Sequence, residues 1–271
     1  MSAIDVATRE AVDRGTLRVL GVPVSLVDMA GAVDTVTGWG RSGPAKTVFV
    51  RDVHGLMLAL QNPALLALHE RASLVVPDGM PLTWVGRLRG FGSRIGRVPG
   101  ADLMAEVCRA SAGTGLRHFF FGGKPGVAET LVERLTQTYP GLQIAGTFSP
   151  PMRSIEADAP LSPEEAREIE IIRQAAPDII WVGLSTPKQE YWMMKAAPHL
   201  PHGVLLGVGA AFDFHSGLVR RAPPWMRDNG LEWLHRLASE PRRLWRRYLV
   251  LAPLFVVKVI EEQISGRWKA P

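Results

Sequence analysis

The stretch RHFFFGGKPGVAETLVERL, residues 117–135, joins a short apolar run to a glycine-rich turn and a longer helix-like segment. The apolar run predicts a strand over 117–121, and the segment that follows Lys124 predicts a helix near 125–138. A strand that turns directly into a helix is the repeating unit of folds in which these two elements alternate. This stretch therefore predicts an α/β fold.

The rest of the chain repeats this unit on both sides. The predicted strands are 18–27, 47–52, 73–77, 142–147, 178–183 and 203–207, and the further helices lie near 54–69, 101–113, 163–176 and 187–197. Most of these strands are nearly continuous hydrophobic runs, as expected of strands that are buried on both faces. The alternation predicts a mostly parallel sheet with helices on both faces.

The pattern changes after Gly217. No further strand is evident, and 227–237 and 241–263 predict helices. This part of the chain carries tryptophans at Trp225, Trp233, Trp245 and Trp268. We therefore predict two domains: an α/β core over 1–217 and a basic, tryptophan-rich helical appendage over 218–271.

The composition excludes several classes of protein. The chain has 271 residues, of which 46% are apolar and 21% charged, so it is not a disordered or low-complexity protein. Its single cysteine, Cys108, excludes an intrachain disulfide framework. The N-terminus has no apolar run typical of a signal peptide. The longest apolar run, 248–257, is interrupted by Pro253 and is too short to span a bilayer.

Positive charge is concentrated at the C-terminus. Residues 218–271 contain eleven basic and five acidic residues, a balance of +6, which leaves 20 basic and 21 acidic residues, or −1, in the rest of the chain. This asymmetry indicates a polyanionic partner, which could be nucleic acid, anionic lipid or a diphosphate, although a solvated basic tail is an equal alternative. Together with its tryptophans and its apolar run, the appendage suits peripheral attachment to an anionic membrane surface.

Ligands of open α/β sheets lie at the carboxyl ends of the strands, so the residues that follow each predicted strand are the candidates for a site. Asp78 of Pro77-Asp78-Gly79 could act as a general base there, or it could simply cap a turn or helix. Gly122 and Gly123 could admit a phosphate at a helix N-terminus, or serve only as a structural loop.

Two later motifs follow strands in the same way. In PKQE, residues 187–190, Lys188 could meet a phosphate and Gln189 could hydrogen-bond a sugar or base, although ordinary helix capping also explains them. In GVGAAFDFHSG, residues 207–217, Gly209 permits close approach and Asp213 could be a ligand or acid–base group, whereas we interpret His215 as structural. No motif with metal-ligand spacing occurs, so the sequence predicts no metal site.

Arginines dominate the appendage. Arg243 and Arg246 share a helix face at i,i+3 spacing, and forked guanidinium groups suit a diphosphate. A basic solvated face is the alternative interpretation.

The motifs, taken in order, resemble the WecG/TagA/CpsF family of bacterial glycosyltransferases. After Asp78-Gly79 the set comprises RVPGADL (97–103), FFGGKPGVAE (120–129), YPGLQIAG (139–146), PKQE (187–190), GVGAAFD (207–213), RAPPW (221–225), GLEWLHR (230–236) and EPRRLWRR (240–247). The resemblance extends from about residue 17 to about residue 247.

The resemblance implies a Rossmann-like core and a C-terminal appendage that helps to close the site and approach the membrane. It implies inverting, metal-independent transfer of a sugar from a UDP-sugar to a saccharide on undecaprenyl diphosphate, at the inner face of the cytoplasmic membrane. UDP-sugar is then a co-substrate, and no cofactor is needed. By motif, Asp78 is the general base, Gln189 is an active-site residue, Arg97 lies in the site, and Arg236, Arg243 and Arg246 engage the diphosphate. A homo-oligomer whose assembly depends on membrane contact is a further hypothesis.

One segment departs from the family pattern. Many members carry Thr-x-Asn after the second strand, where this chain reads Val50-Arg51-Asp52, with Asp52 in place of Asn and no equivalent Thr. The departure favours a donor other than N-acetylmannosamine, such as glucose in exopolysaccharide assembly. Asp52 could instead supply a second carboxylate near Asp78.

Other classes of protein remain as alternatives. A nucleic-acid-binding protein would use the basic appendage, but no RNA- or DNA-binding motif occurs. A nicotinamide-dependent enzyme would need a G-x-G-x-x-G fingerprint, which the chain lacks.

Overall fold

The computed structural model describes residues 15–41 and 43–266. Its strands are β1 (Thr16–Val19), β2 (Val22–Ser25), β3 (Lys46–Arg51), β4 (Leu74–Pro77), β5 (Arg117–Gly122), β6 (Gln143–Phe148), β7 (Ile179–Gly183) and β8 (Val204–Gly207). The last six form one sheet in the order β4-β3-β8-β7-β5-β6, with every neighbouring pair parallel. The predicted parallel α/β architecture is confirmed.

The helices connect these strands. They are α1 (Met29–Trp39), α2 (Val53–Gln61), α3 (Pro63–Arg71), α4 (Met80–Leu88), α5 (Gly100–Ser111), α6 (Val127–Thr138), α7 (Pro163–Ala175), α8 (Lys188–Ala196), α9 (Ala211–His215), α10 (Pro224–Asp228), α11 (Glu232–Ser239), α12 (Pro241–Trp245) and α13 (Ala252–Ile264). A short 3₁₀ turn, Ala197–His199, follows α8, and a π-helical segment, Arg246–Leu251, joins α12 to α13.

Side chains of the central strands alternate between two buried layers. In β5, Phe119 and Phe121 pack into one hydrophobic cluster, whereas Phe120 packs into the other. The first cluster includes side chains of α2, α3, α7 and α8, and the second includes side chains of α1, α5, α6 and α9. Because both faces are covered, these strands have continuous apolar sequences.

The predicted strand over 18–27 is wrong in detail. The chain forms an antiparallel hairpin of β1 and β2, separate from the main sheet. Leu20 and Gly21 lie at its tip with φ of 53° and 83°. Positive φ at both central residues is the geometry of a two-residue hairpin turn, which an apolar Leu-Gly pair signals poorly.

The predicted helix over 54–69 is two helices. Asn62 interrupts them with φ −131°, and its side chain accepts a hydrogen bond from the backbone N–H of Leu65 at 3.1 Å. The residue before a proline avoids the helical region, and here that proline is Pro63, the first residue of α3. Helices α1 and α4 were not predicted from the sequence.

The predicted helix over 241–263 is confirmed as α12, the π-helical segment and α13, whereas the predicted helix over 227–237 is wrong in detail. It spans the break between α10 and α11, where Gly230 has φ 72°. The last helix, α13, packs on the core. Phe255 and Val259 of α13 are buried in the same cluster as α2. Glu262 accepts hydrogen bonds from Arg89, at 2.5 Å, and from the backbone N–H of Leu20, at 3.2 Å. The division at residue 217 stays a prediction.

Some predicted features lie outside the described residues: most of the N-terminal segment, Trp268, and the basic Arg267 and Lys269. Within the described residues, none of the helices is both long enough and apolar enough to cross a membrane.

Candidate active site

The carboxyl ends of β3, β4, β7 and β8 bring the principal candidate residues to one edge of the sheet. Asp52 follows β3 and Asp78 follows β4, and the two strands pair in parallel. The backbone N–H of Asp78 donates to the carbonyl of Arg51 at 2.8 Å, which extends this pairing by one residue. Gln189 lies in the first turn of α8, after β7, and Gly209 follows β8.

Asp78 is a part-buried carboxyl group with an unusual proton affinity. Burial raises the pKa of Asp78 to about 7, and the nearby Asp52 and Glu232 act in the same direction, while Arg97 and Arg247 oppose them. A carboxyl group with a pKa near the working pH can accept a proton from a hydroxyl and release it afterwards. The environment therefore suits a general base.

Asp52 is held as a carboxylate. One of its oxygens accepts the backbone N–H of Gly55 at 2.9 Å, which caps α2, and the other accepts from the Arg247 guanidinium. Burial alone would raise the pKa of Asp52, but Arg247, the Gly55 N–H, His54 and Arg51 outweigh it and lower the pKa to about 2. The site thus holds two carboxyl groups with very different proton affinities.

Arg97 joins Asp78 to the appendage. Its Nε–H donates to the backbone carbonyl of Asp78 at 3.1 Å, and its two terminal nitrogens donate to the carbonyl of Arg227 at 2.8 Å and to Glu232 at 2.6 Å. The structure therefore places Arg97 under the site, fully engaged with protein groups.

Arg221 makes a second set of ion pairs beside Arg97, since both arginines pair with Glu232. Arg221 donates to Glu232 at 3.2 Å and forms a bidentate pair with Asp102 at 2.5 and 2.9 Å. The charged residues of the RVPGAD, RAPPW and GLEW motifs thus bind one another. They fasten α10 and α11 to the loop before α5 and to the first turn of α5.

Beneath the cleft lies a buried ion pair that the sequence analysis did not identify. Arg51 and Glu190 are fully buried and joined at 2.6 Å. Glu190 also accepts from the hydroxyl of Thr186 at 2.9 Å and from the amide of Gln189 at 3.3 Å. The signal was present, because Arg51 ends an otherwise apolar strand and a buried charge needs a partner.

Gln189 is 3% exposed, and its amide oxygen has no hydrogen-bond partner within the described residues. A Cβ atom at Gly209 would lie 3.6 Å from this oxygen. The structure therefore brings Gln189 and Gly209 together, with an unused acceptor at the edge of the cleft.

A cluster of cationic side chains lies beside α9. Arg236 stacks over the ring of Phe214 at 5.4 Å, and its buried Nε–H has no partner among the described residues. Burial raises the pKa of Asp213, while Arg243, Lys124 and Arg236 act to lower it, so these cations surround that carboxyl group.

The remaining appendage arginines differ in their surroundings. Arg243 is exposed and pairs with Glu240 at 2.9 Å, and Arg246 is exposed. Arg247, which the sequence analysis passed over, is the one that reaches Asp52. Its i,i+4 spacing from Arg243 was the available signal, because i,i+4 places two side chains on one helix face as well as i,i+3 does.

The candidates Gly122, Gly123 and Lys188, together with His215, make contacts within the protein that explain them structurally. A Cβ at Gly122, where φ is 123°, would lie 2.6 Å from the carbonyl oxygen of Gly183, and the N–H of Gly123 donates to that oxygen at 3.1 Å. These glycines therefore allow β5 and β7 to approach closely. Lys188 donates to the carbonyl of Arg153 at 2.8 Å, and His215 bonds the carbonyl of Ala101 at 2.8 Å, as its structural interpretation predicts.

A carboxyl group of raised pKa near guanidinium groups, two of which have an Nε–H with no partner among the described residues, at the carboxyl edge of a parallel sheet, is suited to group transfer from an anionic leaving group. Comparison with known proteins gives the class: the chain belongs to the family described as "Glycosyl transferase WecG/TagA/CpsF family", whose model matches residues 17–269. The protein is therefore a glycosyltransferase, and the resemblance found in the sequence is confirmed.

Two curated relatives carry the same name, N-acetylglucosaminyldiphosphoundecaprenol N-acetyl-beta-D-mannosaminyltransferase. The protein from Bacillus spizizenii is 32% identical over 206 residues, which cover 76% of this chain and 75% of the relative. The protein from Bacillus subtilis is 30% identical over 220 residues, which cover 77% of this chain and 80% of the relative.

Proposed function

We propose that this glycosyltransferase moves a sugar from a UDP-sugar to a saccharide carried on undecaprenyl diphosphate, in the synthesis of a surface glycan such as an exopolysaccharide. Transfer inverts the anomeric centre and uses no metal ion or other cofactor. The names of the two relatives support a lipid-diphosphate-linked acceptor. The observation that carries the proposal is Asp78, a carboxyl group of raised pKa near Arg97 of the core and Arg247 of the appendage.

The proposed reaction is a single displacement. The carboxylate of Asp78 takes the proton of an acceptor hydroxyl as that oxygen attacks the anomeric carbon of the donor sugar. The bond from this carbon to the diphosphate breaks, and its electron pair leaves with UDP. Guanidinium groups of Arg236, Arg243 and Arg246 are proposed to stabilise the charge that develops on the diphosphate.

The donor sugar is the open part of the proposal. The relatives are named as N-acetylmannosaminyltransferases, whereas this chain has Asp52, held by Arg247, in place of the amide expected from the family pattern. A carboxylate accepts hydrogen bonds only, so it favours sugar hydroxyls over an acetamido carbonyl. We propose a donor without the N-acetyl group, such as UDP-glucose.

The experiment is UDP release from a panel that includes UDP-glucose and UDP-N-acetylmannosamine, with and without a polyprenyl-diphosphate-linked acceptor. Acceptor-dependent release from one donor supports the proposal and names the sugar. If no donor gives acceptor-dependent release although UDP binds, the proposed acceptor is wrong.

The appendage arginines give a direct test of diphosphate binding. We expect Arg236→Ala, Arg243→Ala and Arg246→Ala each to weaken binding of UDP or of the lipid diphosphate about 10- to 100-fold, because a hydrogen bond to a charged group is worth about 1.5–3 kcal/mol. Calorimetric titration with UDP measures the effect. Arg242→Ala, which alters the exposed arginine next to Arg243 in α12, is the matched control. Unchanged affinity in all three variants would remove these arginines from the site.

Membrane attachment is the remaining part of the proposal. The last helices expose a row of large apolar side chains, which comprises Trp245, Leu249, Val250, Val256, Val257, Ile260 and Ile264. Basic residues of the same segment add about 1 kcal/mol each near an anionic surface. We propose that the enzyme binds peripherally at the inner face of the cytoplasmic membrane through this row.

We expect the protein to co-sediment with anionic vesicles at low salt, and the double change Ile260→Asn, Ile264→Asn to weaken this binding about tenfold or more, because each buried aliphatic side chain is worth about 1.5–3 kcal/mol. Met152→Ser, which alters an exposed apolar residue outside the appendage, is the control. Equal sedimentation of all three proteins would contradict this role of the row.

A further inference from the structure

The contact between Asp52 and Arg247 joins two distant parts of the chain. Asp52 lies at the end of β3 in the core, and Arg247 lies in the π-helical segment of the appendage. Their side chains are 22% and 25% exposed, so most of each is withdrawn from water. The guanidinium of Arg247 also lies over the ring of the adjacent Tyr248, at 5.4 Å.

Both oxygens of Asp52 are committed. One accepts the backbone N–H of Gly55 and the other accepts from Arg247, so the carboxylate has a single position. Arg247 in turn retains a buried Nε–H that has no partner within the described residues. The pair therefore closes the appendage onto the core next to Asp78.

Charged groups from four parts of the chain lie near enough to Asp78 to act on its carboxyl group. Asp52 comes from the end of β3, Arg97 from the loop before α5, Glu232 from α11, and Arg247 from the π-helical segment, where Tyr248 adjoins it. Arg97 pairs with Glu232 and Arg247 pairs with Asp52, so the facing charges form two balanced pairs. Loss of one member of a pair leaves the charge of the other acting on Asp78.

We propose that Asp52 and Arg247 form a latch that holds the appendage over the cleft and balances the charge that faces the Asp78 carboxyl group. In this role both are positioning residues, which act on the reaction through Asp78, and the role is separate from the contact proposed between Asp52 and the donor sugar. The inference rests on the proposed function for its effect on catalysis, but the latch itself has a separate measurement.

Two substitutions should move the titration of Asp78 in opposite directions. Asp52→Asn removes a negative charge and keeps a side-chain oxygen that can cap α2, so the pKa of Asp78 falls. Arg247→Gln removes a positive charge and leaves the carboxylate of Asp52 uncompensated, so the pKa of Asp78 rises. We expect about one pH unit in each direction, and a value near that of the wild type in the double variant.

The experiment is a carbon-13 NMR titration of the aspartate carboxyl groups, in which loss of one signal in Asp78→Asn assigns Asp78. The acid limb of the pH profile of kcat/KM is measured on the same variants. Hydrogen exchange over residues 241–264 reports whether the appendage stays closed. Arg242→Gln, an exposed substitution with the same change of charge as Arg247→Gln, should alter neither the Asp78 titration, nor the pH profile of kcat/KM, nor the hydrogen exchange. Asp52→Ser is a second variant that can keep the helix cap.

Opposite movements of the Asp78 signal, with faster exchange over 241–264 in both single variants, support the latch. Movement in one common direction, no movement, or unchanged exchange in both variants overturns it. If the NMR titration moves as expected but the kcat/KM profile does not, the latch stands, and the assignment of Asp78 as the base, part of the proposed function, is overturned.

Discussion

Replacement of Asp78 by asparagine is expected to lower turnover by about 10²- to 10⁴-fold, because that is the range that general base catalysis contributes. The change is nearly isosteric, so binding of the UDP-sugar should change little. Steady-state kinetics with saturating donor and acceptor, together with titration of UDP, separates the two effects. Near-normal turnover in Asp78→Asn would show that another group accepts the proton.

The pH dependence of the wild-type enzyme follows from the same group. Burial raises the pKa of Asp78 to about 7, and only the carboxylate can accept a proton. We therefore expect kcat/KM to rise with pH and to level off above about 7. A profile that is already flat from about pH 5 upward would contradict a base with this pKa.

Stability should respond in the opposite sense. A carboxyl group whose folded pKa is raised contributes stability while it is protonated, and that contribution is lost as the pH rises from about 4 through about 7. An asparagine at this position does not ionise, so Asp78→Asn does not lose stability in this way as the pH rises. We expect its melting temperature, relative to that of the wild type, to increase between about pH 5 and pH 8, which also serves as the control that the variant is folded.

Replacement of Arg51 by methionine is expected to destabilise the protein by about 3–5 kcal/mol, because it leaves the buried Glu190 without its cation. The pair is joined at 2.6 Å with both side chains fully buried. Arg51 also lies so close to Gly55 of α2 that a Cβ at that position would collide with its guanidinium group. Urea unfolding at neutral pH measures the loss.

The matched control is the double variant Arg51→Met, Glu190→Met. Replacement of a whole buried ion pair by apolar side chains of similar volume is often neutral or stabilising, so most of the lost stability should return. If the double variant is less stable than either single variant, the side chains act through their contacts with Thr186 and Gln189 rather than as an ion pair.

The periodicity of the sequence was sufficient to predict the sheet. Continuous apolar runs such as 117–121 and 178–183 correspond to central strands, because burial on both faces requires apolar residues at every position. The hairpin at Leu20-Gly21 was not predicted, because its turn depends on backbone angles that this residue pair does not signal. The break at Asn62-Pro63 was available in the sequence but was outweighed by the apolar residues on either side.

The candidate site was predictable only where a motif marks it. Asp78 and Gln189 follow strands within recognisable motifs, and the structure brings them to one edge of the sheet. The roles of Arg51 and Arg247 depend on partners 139 and 195 residues away in the chain. Local sequence cannot indicate which of two adjacent arginines, Arg246 or Arg247, faces the core, because both share a helix face with Arg243, at i,i+3 and i,i+4 spacing.

The central claim is that the enzyme adds a sugar to a lipid-linked saccharide with Asp78 as the base. The most direct measurement is the mass of the polyprenyl-diphosphate-linked acceptor after reaction with each UDP-sugar, for the wild type beside Asp78→Asn. We predict a gain of one sugar residue from a single donor with the wild-type enzyme, and little or none with the variant. UDP release with no change in the mass of the acceptor, or equal product from both proteins, would contradict the account.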